Sequence, residues 1–372
     1  AKLTQFLAAI VRRYDPTRLI SAGCNEVSPN NNLFKSGALD VIGFNYHQKK
    51  VADVPQNFPG KPFIMTETVS ALHTRGYYRM PSDSLYRWPT YKRPFTEPSF
   101  MCSSYDNSCA YWGSTHEQTW DIVKHTPYCS GQFIWTGFDY IGEPTPFNFP
   151  ARSSYFGIVD LAGFPKDVYY LYQSEWTTNP MLHVFPHWNW IEGQPIDLWC
   201  YYNQADEVEL FVNGKSQGVR RKRNEHEYHV AWRVTFVPGK VHVVARKNGW
   251  VVAEKTLQTA GAPHHLRLTP DRQVMAANGR SLSFVTVEVV DRDGNLCPWA
   301  ENNVQFSLTG VGKIAGVDNG SPFSMERFQA HERRAFFGKC LVVVQAGKRP
   351  STLQLTARSV DLLPQTVEIR TK

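Results

Sequence analysis

The sequence lacks any apolar run near the roughly 20 residues that a transmembrane helix needs, so we expect no membrane span. It also lacks a glycine-rich phosphate loop and a histidine–cysteine cluster, so we expect no cofactor. Its seven cysteines show no metal-ligand spacing, and we predict no metal-binding residues. Their odd number argues against a complete disulfide framework, although Cys102 and Cys109 could close a loop disulfide.

The charge balance excludes one further class of partner. The 372-residue chain carries a formal net charge of +7, from 40 basic and 33 acidic residues. The dense basic run, residues 220–223, lies between two strand-like segments and is typical of a solvated loop. Nucleic-acid binding would need basic residues spread over a face with stacking aromatics, so we expect no nucleic-acid partner.

Aromatic residues are abundant, at 13% of the chain with 11 Trp and 17 Tyr. Many fall between Tyr77 and Phe138, including Tyr91 and Phe95, and they alternate with Ser, Asp, Arg and Pro. Such a composition suits sugar rings, which stack on aromatic faces while their hydroxyls need polar partners. An aromatic core is the alternative explanation.

The first half of the chain alternates helices with short apolar strands. Such alternation indicates a parallel sheet, and four strands are half of an eight-stranded barrel. The predicted helices cover residues 1–14, 111–125 and 168–176, and the predicted strands cover residues 19–23, 41–47, 62–67 and 131–135.

From about residue 181 the pattern becomes all-β. Short alternating strands are separated by hairpin signals at Asn213-Gly214, Pro238-Gly239 and Asn248-Gly249. A second series of strands follows Gly261. We therefore predict α/β plus all-β architecture, with β-sandwiches over residues 181–261 and 262–372.

Glu67 closes the apolar segment 62–67, as a carboxylate does at the end of a buried parallel strand. In an α/β barrel the carboxyl ends of the strands carry the chemistry, which makes Glu67 a candidate catalytic residue.

Five segments of the chain carry a family resemblance, namely residues 13–18, 43–47, 62–67, 131–140 and 156–167. Together they resemble glycoside hydrolase family 2, the family of β-galactosidases, β-glucuronidases and β-mannosidases. The resemblance implies that residues 1–180 are the C-terminal half of a (β/α)8 TIM barrel, followed by two immunoglobulin-like β-sandwich domains.

The same resemblance implies a retaining mechanism, in which one carboxylate attacks the sugar and a second acts as acid and base. Glu67 matches the family nucleophile, and Tyr46 matches the tyrosine that donates a hydrogen bond to it. Trp135 matches a sugar-stacking platform. Asn45 and His47 flank Tyr46 and are candidate substrate-binding residues.

The family's acid/base is a Glu preceded by Asn at the end of barrel strand four. Asn25-Glu26 has this dipeptide, but the strand order puts it after strand five, so we expect the acid/base upstream of Ala1. Glu26 and Glu143 are candidate substrate contacts at the barrel rim, and Glu143 could equally fix its loop. A Mg²⁺ ion is an option in an intact parent enzyme.

The sequence thus predicts a retaining exo-β-glycosidase of the β-galactosidase type whose substrate is a carbohydrate. We expect the missing N-terminal half of the polypeptide as a partner, little activity of this chain alone, and a periplasmic or extracellular rather than cytoplasmic location. The alternative is a non-catalytic carbohydrate-binding or scaffolding fragment. Ser70 lies where some β-galactosidases have a His, which leaves the identity of the sugar open. The sequence also leaves the oligomeric state open.

Overall fold

The computed structural model describes residues 1–88 and 98–372. Tyr91 and Phe95 of the aromatic stretch lie outside the described residues. None of the described helices is long and apolar enough to cross a bilayer. The helices are α1 (Lys2–Tyr14), α2 (Asn32–Lys35), α3 (Val54–Asn57), α4 (His116–Lys124) and α5 (Asp167–Trp176), with a 3₁₀ helix over Gln48–Asp53.

Three parallel strands organise the first part of the chain. The central strand is β2, which pairs with β1 on one side and with β5 on the other. The connections between them carry helices, as parallel pairing requires. The strands of this part are β1 (Ile42–Asn45), β2 (Phe63–Val69), β3 (Tyr86–Arg87), β4 (Ser108–Cys109) and β5 (Cys129–Trp135).

One face of this sheet is covered by the connections around α3. Phe44 and Phe63 are buried, with ring centroids 4.9 Å apart, and they pack with Val51, Val54 and Phe58 from the connection between β1 and β2. Burial of such side chains stabilises the fold by about 1.5–3 kcal/mol each. This packing fixes which face of β1 and β2 points away from the helices.

Two predicted elements differ from the structure. Residues 19–23 do not form a strand, contrary to the prediction. Their main chain runs beside β1 and its preceding residue, with hydrogen bonds from the Val41 N–H to the Ile20 carbonyl and from the Asn45 N–H to the Cys24 carbonyl. Helix α4 begins at His116 rather than at residue 111, because Thr115 caps it in a reciprocal capping box.

The next seven strands form a two-layer β-sandwich. One sheet has the order β10-β7-β6 and the other the order β12-β11-β8-β9, and buried residues of both make one apolar cluster. Asn213-Gly214 and Asn248-Gly249 have positive φ and form two-residue hairpin turns. The strands are β6 (Leu182–Phe185), β7 (Pro195–Tyr202), β8 (Glu207–Val212), β9 (Lys215–Arg220), β10 (His229–Thr235), β11 (Lys240–Lys247) and β12 (Trp250–Gln258).

The remaining strands form a second β-sandwich. One half has the order β17-β19-β15-β13 and the other the order β21-β20-β16-β18, and they meet through a bridge between His265 and Leu363. The alternating apolar residues of both halves form one buried cluster. The strands are β13 (His265–Pro270), β14 (Val274–Met275), β15 (Leu282–Val290), β16 (Asn303–Thr309), β17 (Gly312–Asp318), β18 (Glu332–Arg334), β19 (Lys339–Ala346), β20 (Ser351–Ser359) and β21 (Leu362–Thr371).

A partly buried arginine joins the parallel-sheet part to the second sandwich. Arg75 follows β2, and its Nε lies 2.6 Å from the Asp160 carboxylate. Its Nη2 donates to the main-chain carbonyls of Asn319 (2.9 Å) and Phe336 (3.1 Å). The Asp160 side chain is only 1% exposed, so Arg75 supplies a counter-ion to a buried carboxyl group.

We expect Arg75→Ala to destabilise the protein by about 3–5 kcal/mol, because it leaves a buried carboxylate without its counter-ion. The thermal midpoint of the intact protein measures the effect. Arg272→Ala is the control, since Arg272 pairs with Asp271 at the surface and its loss should cost about 0–1 kcal/mol. Equal midpoints for the two variants would contradict the prediction.

Candidate active site

The carboxyl ends of the three parallel strands meet at one edge of the sheet. Asn45 pairs with Glu67, and Val69 pairs with Trp135. The main-chain N–H of Tyr46 donates to the Glu67 carbonyl at 2.7 Å. The structure therefore brings Tyr46, Glu67 and Trp135 to the same edge, with Glu67 on the central strand.

Both β1 and β2 end in left-handed backbone. Tyr46 and His47 have φ of 55° and 50°, and Val69 and Ser70 have φ of 76° and 54°. This conformation is uncommon for residues other than Gly and is an outlier for a β-branched residue such as Val69. Each such residue costs on the order of 1–3 kcal/mol, and this kind of strain clusters at functional sites.

A chain of hydrogen bonds leads to Tyr46 beside Glu67. The indole Nε1 of Trp112 donates to the Ser70 hydroxyl at 3.1 Å, and that hydroxyl donates to the Tyr46 phenol oxygen at 3.0 Å. Burial raises the pKa of Tyr46; the Ser70 hydrogen bond opposes this, and the nearby Glu67 carboxylate raises the pKa further. The phenol is thus held as a neutral donor beside the carboxylate.

Tyr140 connects two of the predicted substrate-binding residues. The Trp135 indole donates to the Tyr140 hydroxyl at 3.1 Å, and that hydroxyl donates to the Glu143 carboxylate. Burial and the hydrogen bond to Glu143 raise the pKa of Tyr140. Sequence reasoning missed Tyr140, Trp112 and the contacts of Ser70, because no spacing signal predicts bonds between loops.

The other predicted site residues are placed differently. Asn45 is buried, and its side-chain oxygen accepts a hydrogen bond from the Thr66 hydroxyl at 2.7 Å. His47 is exposed at the start of the 3₁₀ helix. Glu26 is also exposed, and its carboxylate accepts a bond from Asn31 at 3.2 Å. Among the described residues, no hydrogen bond or ion pair joins Glu26 to Glu67.

The segment before α4 passes directly over the end of β2. The N–H of Ser114 donates to the Val69 carbonyl at 2.7 Å, and the N–H of Ala110 donates to the Ser70 carbonyl at 3.0 Å. A Cβ atom on Gly113 would lie 2.3 Å from the Val69 carbonyl oxygen, so only Gly fits here. The glycine at position 113 therefore lets this segment approach β2 closely enough for Trp112 to hydrogen-bond Ser70.

Comparisons with known proteins identify the family of the chain. A family model described as glycoside hydrolase family 2 C-terminal domain 5 matches residues 266–368, and a domain of unknown function, DUF4982, matches residues 193–253. The β-galactosidase BoGH2A of Bacteroides ovatus is 61% identical over 99% of this chain, which covers 43% of that protein. A β-glucuronidase of Formosa agariphila is 30% identical over 45% of this chain, which covers 17% of it.

The solved structures that the chain resembles include glycoside hydrolases. A β-glycosidase from Bacteroides vulgatus matches with a TM-score of 0.87 and 31% identity, over 99% of this chain and 49% of its own. The chain belongs to glycoside hydrolase family 2, as its motifs predicted. It spans less than half the length of these relatives.

We expect Gly113→Ala to lower stability by about 1–3 kcal/mol, because the new methyl group would displace the Val69 carbonyl. Thermal unfolding measures the loss, and quenching of the Trp112 fluorescence reports the displaced site. Gly137→Ala is the matched control, since nothing lies within 4 Å of a Cβ at that position. The prediction is wrong if both variants unfold at the same temperature.

Proposed function

We propose that this chain is the C-terminal part of a retaining exo-β-glycosidase of the β-galactosidase type. The observation that carries the proposal is the position of Glu67 on the central strand, with Tyr46 and Trp135 on the neighbouring strand ends. A carboxylate beside a neutral phenol and an indole face offers a nucleophile, a positioning donor and a stacking surface.

In the proposed reaction the Glu67 carboxylate attacks the anomeric carbon and forms a covalent glycosyl-enzyme, while the glycosidic bond breaks and its leaving oxygen takes a proton from the acid/base Glu expected elsewhere in the polypeptide. Tyr46 orients the carboxylate by donating its phenol proton in a hydrogen bond, and the neutral phenol that burial favours suits this role. Trp135 stacks against the sugar, with its indole N–H held by Tyr140. Water then releases the sugar with its configuration retained.

We further propose that residues 1–180 are half of a TIM barrel and that the acid/base Glu belongs to another part of the same polypeptide. Exposed apolar surface supports this: Phe133 and Phe138 are 62% and 63% exposed. Retention needs a second carboxylate roughly 5–5.5 Å from the first. The apolar face of α1 is exposed as well, at Leu3, Phe6, Leu7, Ile10 and Val11.

For the substrate we propose a terminal β-galactoside. The relative that shares 61% of residues over nearly the whole chain is named a β-galactosidase, whereas a relative named a putative β-glucuronidase shares 32% of residues over 95% of the chain. Comparing turnover of galactoside, glucuronide and mannoside chromogens by the complete polypeptide tests this choice.

We expect Glu67→Ala in the complete polypeptide to lower turnover of a nitrophenyl β-glycoside by several orders of magnitude, as loss of a nucleophile does. Added azide should restore part of the rate and yield the α-glycosyl azide, because the small anion takes the place of the carboxylate. Glu143→Gln is the control; it should retain far more activity and show no azide effect. Normal turnover in Glu67→Ala would remove this residue from the mechanism.

We expect residues 1–372 expressed alone to be insoluble or inactive, because an incomplete barrel exposes an unpaired strand edge and its apolar interior. Solubility and turnover of a nitrophenyl galactoside are measured beside the complete polypeptide. Turnover by the isolated chain at a rate near that of the complete protein would refute the proposal that the acid/base Glu lies outside this chain.

A further inference from the structure

A cluster of two histidines and two carboxylates lies between α4 and the loop that joins β9 to β10. We call Asp121, His125, Glu225 and His226 the histidine cluster. Asp121 and His125 come from the last turn and end of α4, whereas Glu225 and His226 come from the first sandwich. Asp121, His125 and His226 present possible ligand atoms within 4.8 Å of one another.

Asp121 orients both imidazole rings through their Nδ1 atoms. The Nδ1 of His226 lies 2.8 Å from the Asp121 carboxylate, and the Nδ1 of His125 lies 2.9 Å from the Asp121 main-chain carbonyl. Both acceptors require a proton on Nδ1, so each neutral ring presents an Nε2 lone pair. The Tyr228 hydroxyl also donates to the Asp121 carboxylate at 2.8 Å, which holds that carboxylate in place.

Both Nε2 atoms face one oxygen of Glu225. The distance from Glu225 Oε1 is 3.9 Å to His125 Nε2 and 3.9 Å to His226 Nε2, and the two ring centroids are 4.4 Å apart. Ligands of a tetrahedral zinc ion, bound at roughly 2.0–2.2 Å, lie about 3.3 Å from one another. Because the Glu225 side chain is 71% exposed, it can close the remaining gap.

We propose that the histidine cluster is a Zn²⁺ site, with His125, His226 and Glu225 as ligands and Asp121 as the residue that orients the histidines. Histidine nitrogen and carboxylate oxygen are common zinc ligands. A carboxylate or main-chain carbonyl behind a ligating histidine is the usual outer partner of such a site, and both kinds occur here. The carboxylates of Asp121 and Glu225 balance the charge of the ion.

Such an ion would join α4 to the first sandwich. The ligands come from positions about 100 residues apart in sequence, which is why cysteine and histidine spacing predicted no metal site. This inference does not depend on the proposed glycosidase activity, because the cluster shares no residue with the Glu67 site. The simpler alternative is a hydrogen-bonded cluster that holds no metal.

The test is zinc binding by the purified intact protein after chelator treatment, measured by competition with a chromophoric chelator at neutral pH. We expect a zinc equivalent in the wild type that is lost or weakened at least tenfold in His226→Asn and in Glu225→Gln. Asp121→Asn should weaken binding by about 10–100-fold, the range for an outer partner of a metal ligand. X-ray absorption of the bound zinc should show nitrogen and oxygen ligands and no sulfur.

His242→Asn is the matched control, because His242 on β11 pairs with Glu254 on β12, outside the histidine cluster, and its loss should leave zinc binding unchanged. Circular dichroism checks that each variant is folded. If a variant does not fold, the X-ray absorption spectrum of zinc bound to the wild type tests the proposal, because it shows whether the ligands are nitrogen and oxygen. No zinc uptake by the wild type at saturating free zinc, or equal uptake by His226→Asn, would overturn the proposal.

Discussion

The turn of the backbone at Val69 and Ser70 is the constraint on which the candidate site depends. Left-handed backbone at a β-branched residue is unfavourable on its own, so the surroundings must hold it. Here the carbonyls of both residues accept hydrogen bonds from the segment before α4, and Gly113 allows that segment to approach. The turn then points the Ser70 hydroxyl at Tyr46 and so sets the phenol beside Glu67.

Apart from the short strands β3 and β4, the described residues between β2 and α4 have no regular structure, and both sandwiches form hydrogen bonds with them. Arg75 donates to carbonyls of the second sandwich. The first sandwich contributes Asp197, whose carboxylate accepts from the N–H of Ser82 at 2.7 Å and whose carbonyl accepts from the Tyr105 hydroxyl. Because this segment carries Trp112, both sandwiches contribute to the geometry at Glu67 although neither supplies a residue to it.

The kind of contact determines which parts of the candidate site could be predicted from the sequence. Tyr46, Glu67 and Trp135 end neighbouring parallel strands, and such ends meet at one edge, so their proximity could be predicted. Ser70 and Trp112 are 42 positions apart and meet through irregular backbone, for which no periodicity exists. Residues 19–23 have a strand-like composition, but composition does not supply the ladder of hydrogen bonds that makes a strand.

Buried charge adds to apolar packing in fastening the loop after β5 to the segment after β2. The Lys166 ammonium donates to the carbonyls of His73 (2.8 Å) and Tyr155 (3.1 Å) and lies 2.7 Å from the Asp139 carboxylate. Burial outweighs this pairing and raises the pKa of Asp139 to about 6. An apolar side chain would remove the ammonium donor of the His73 carbonyl and leave the Tyr155 carbonyl with only the N–H of His73, whereas one lysine has three protons for three acceptors. Irregular backbone near a site is therefore positioned by side-chain donors where no strand or helix can supply them.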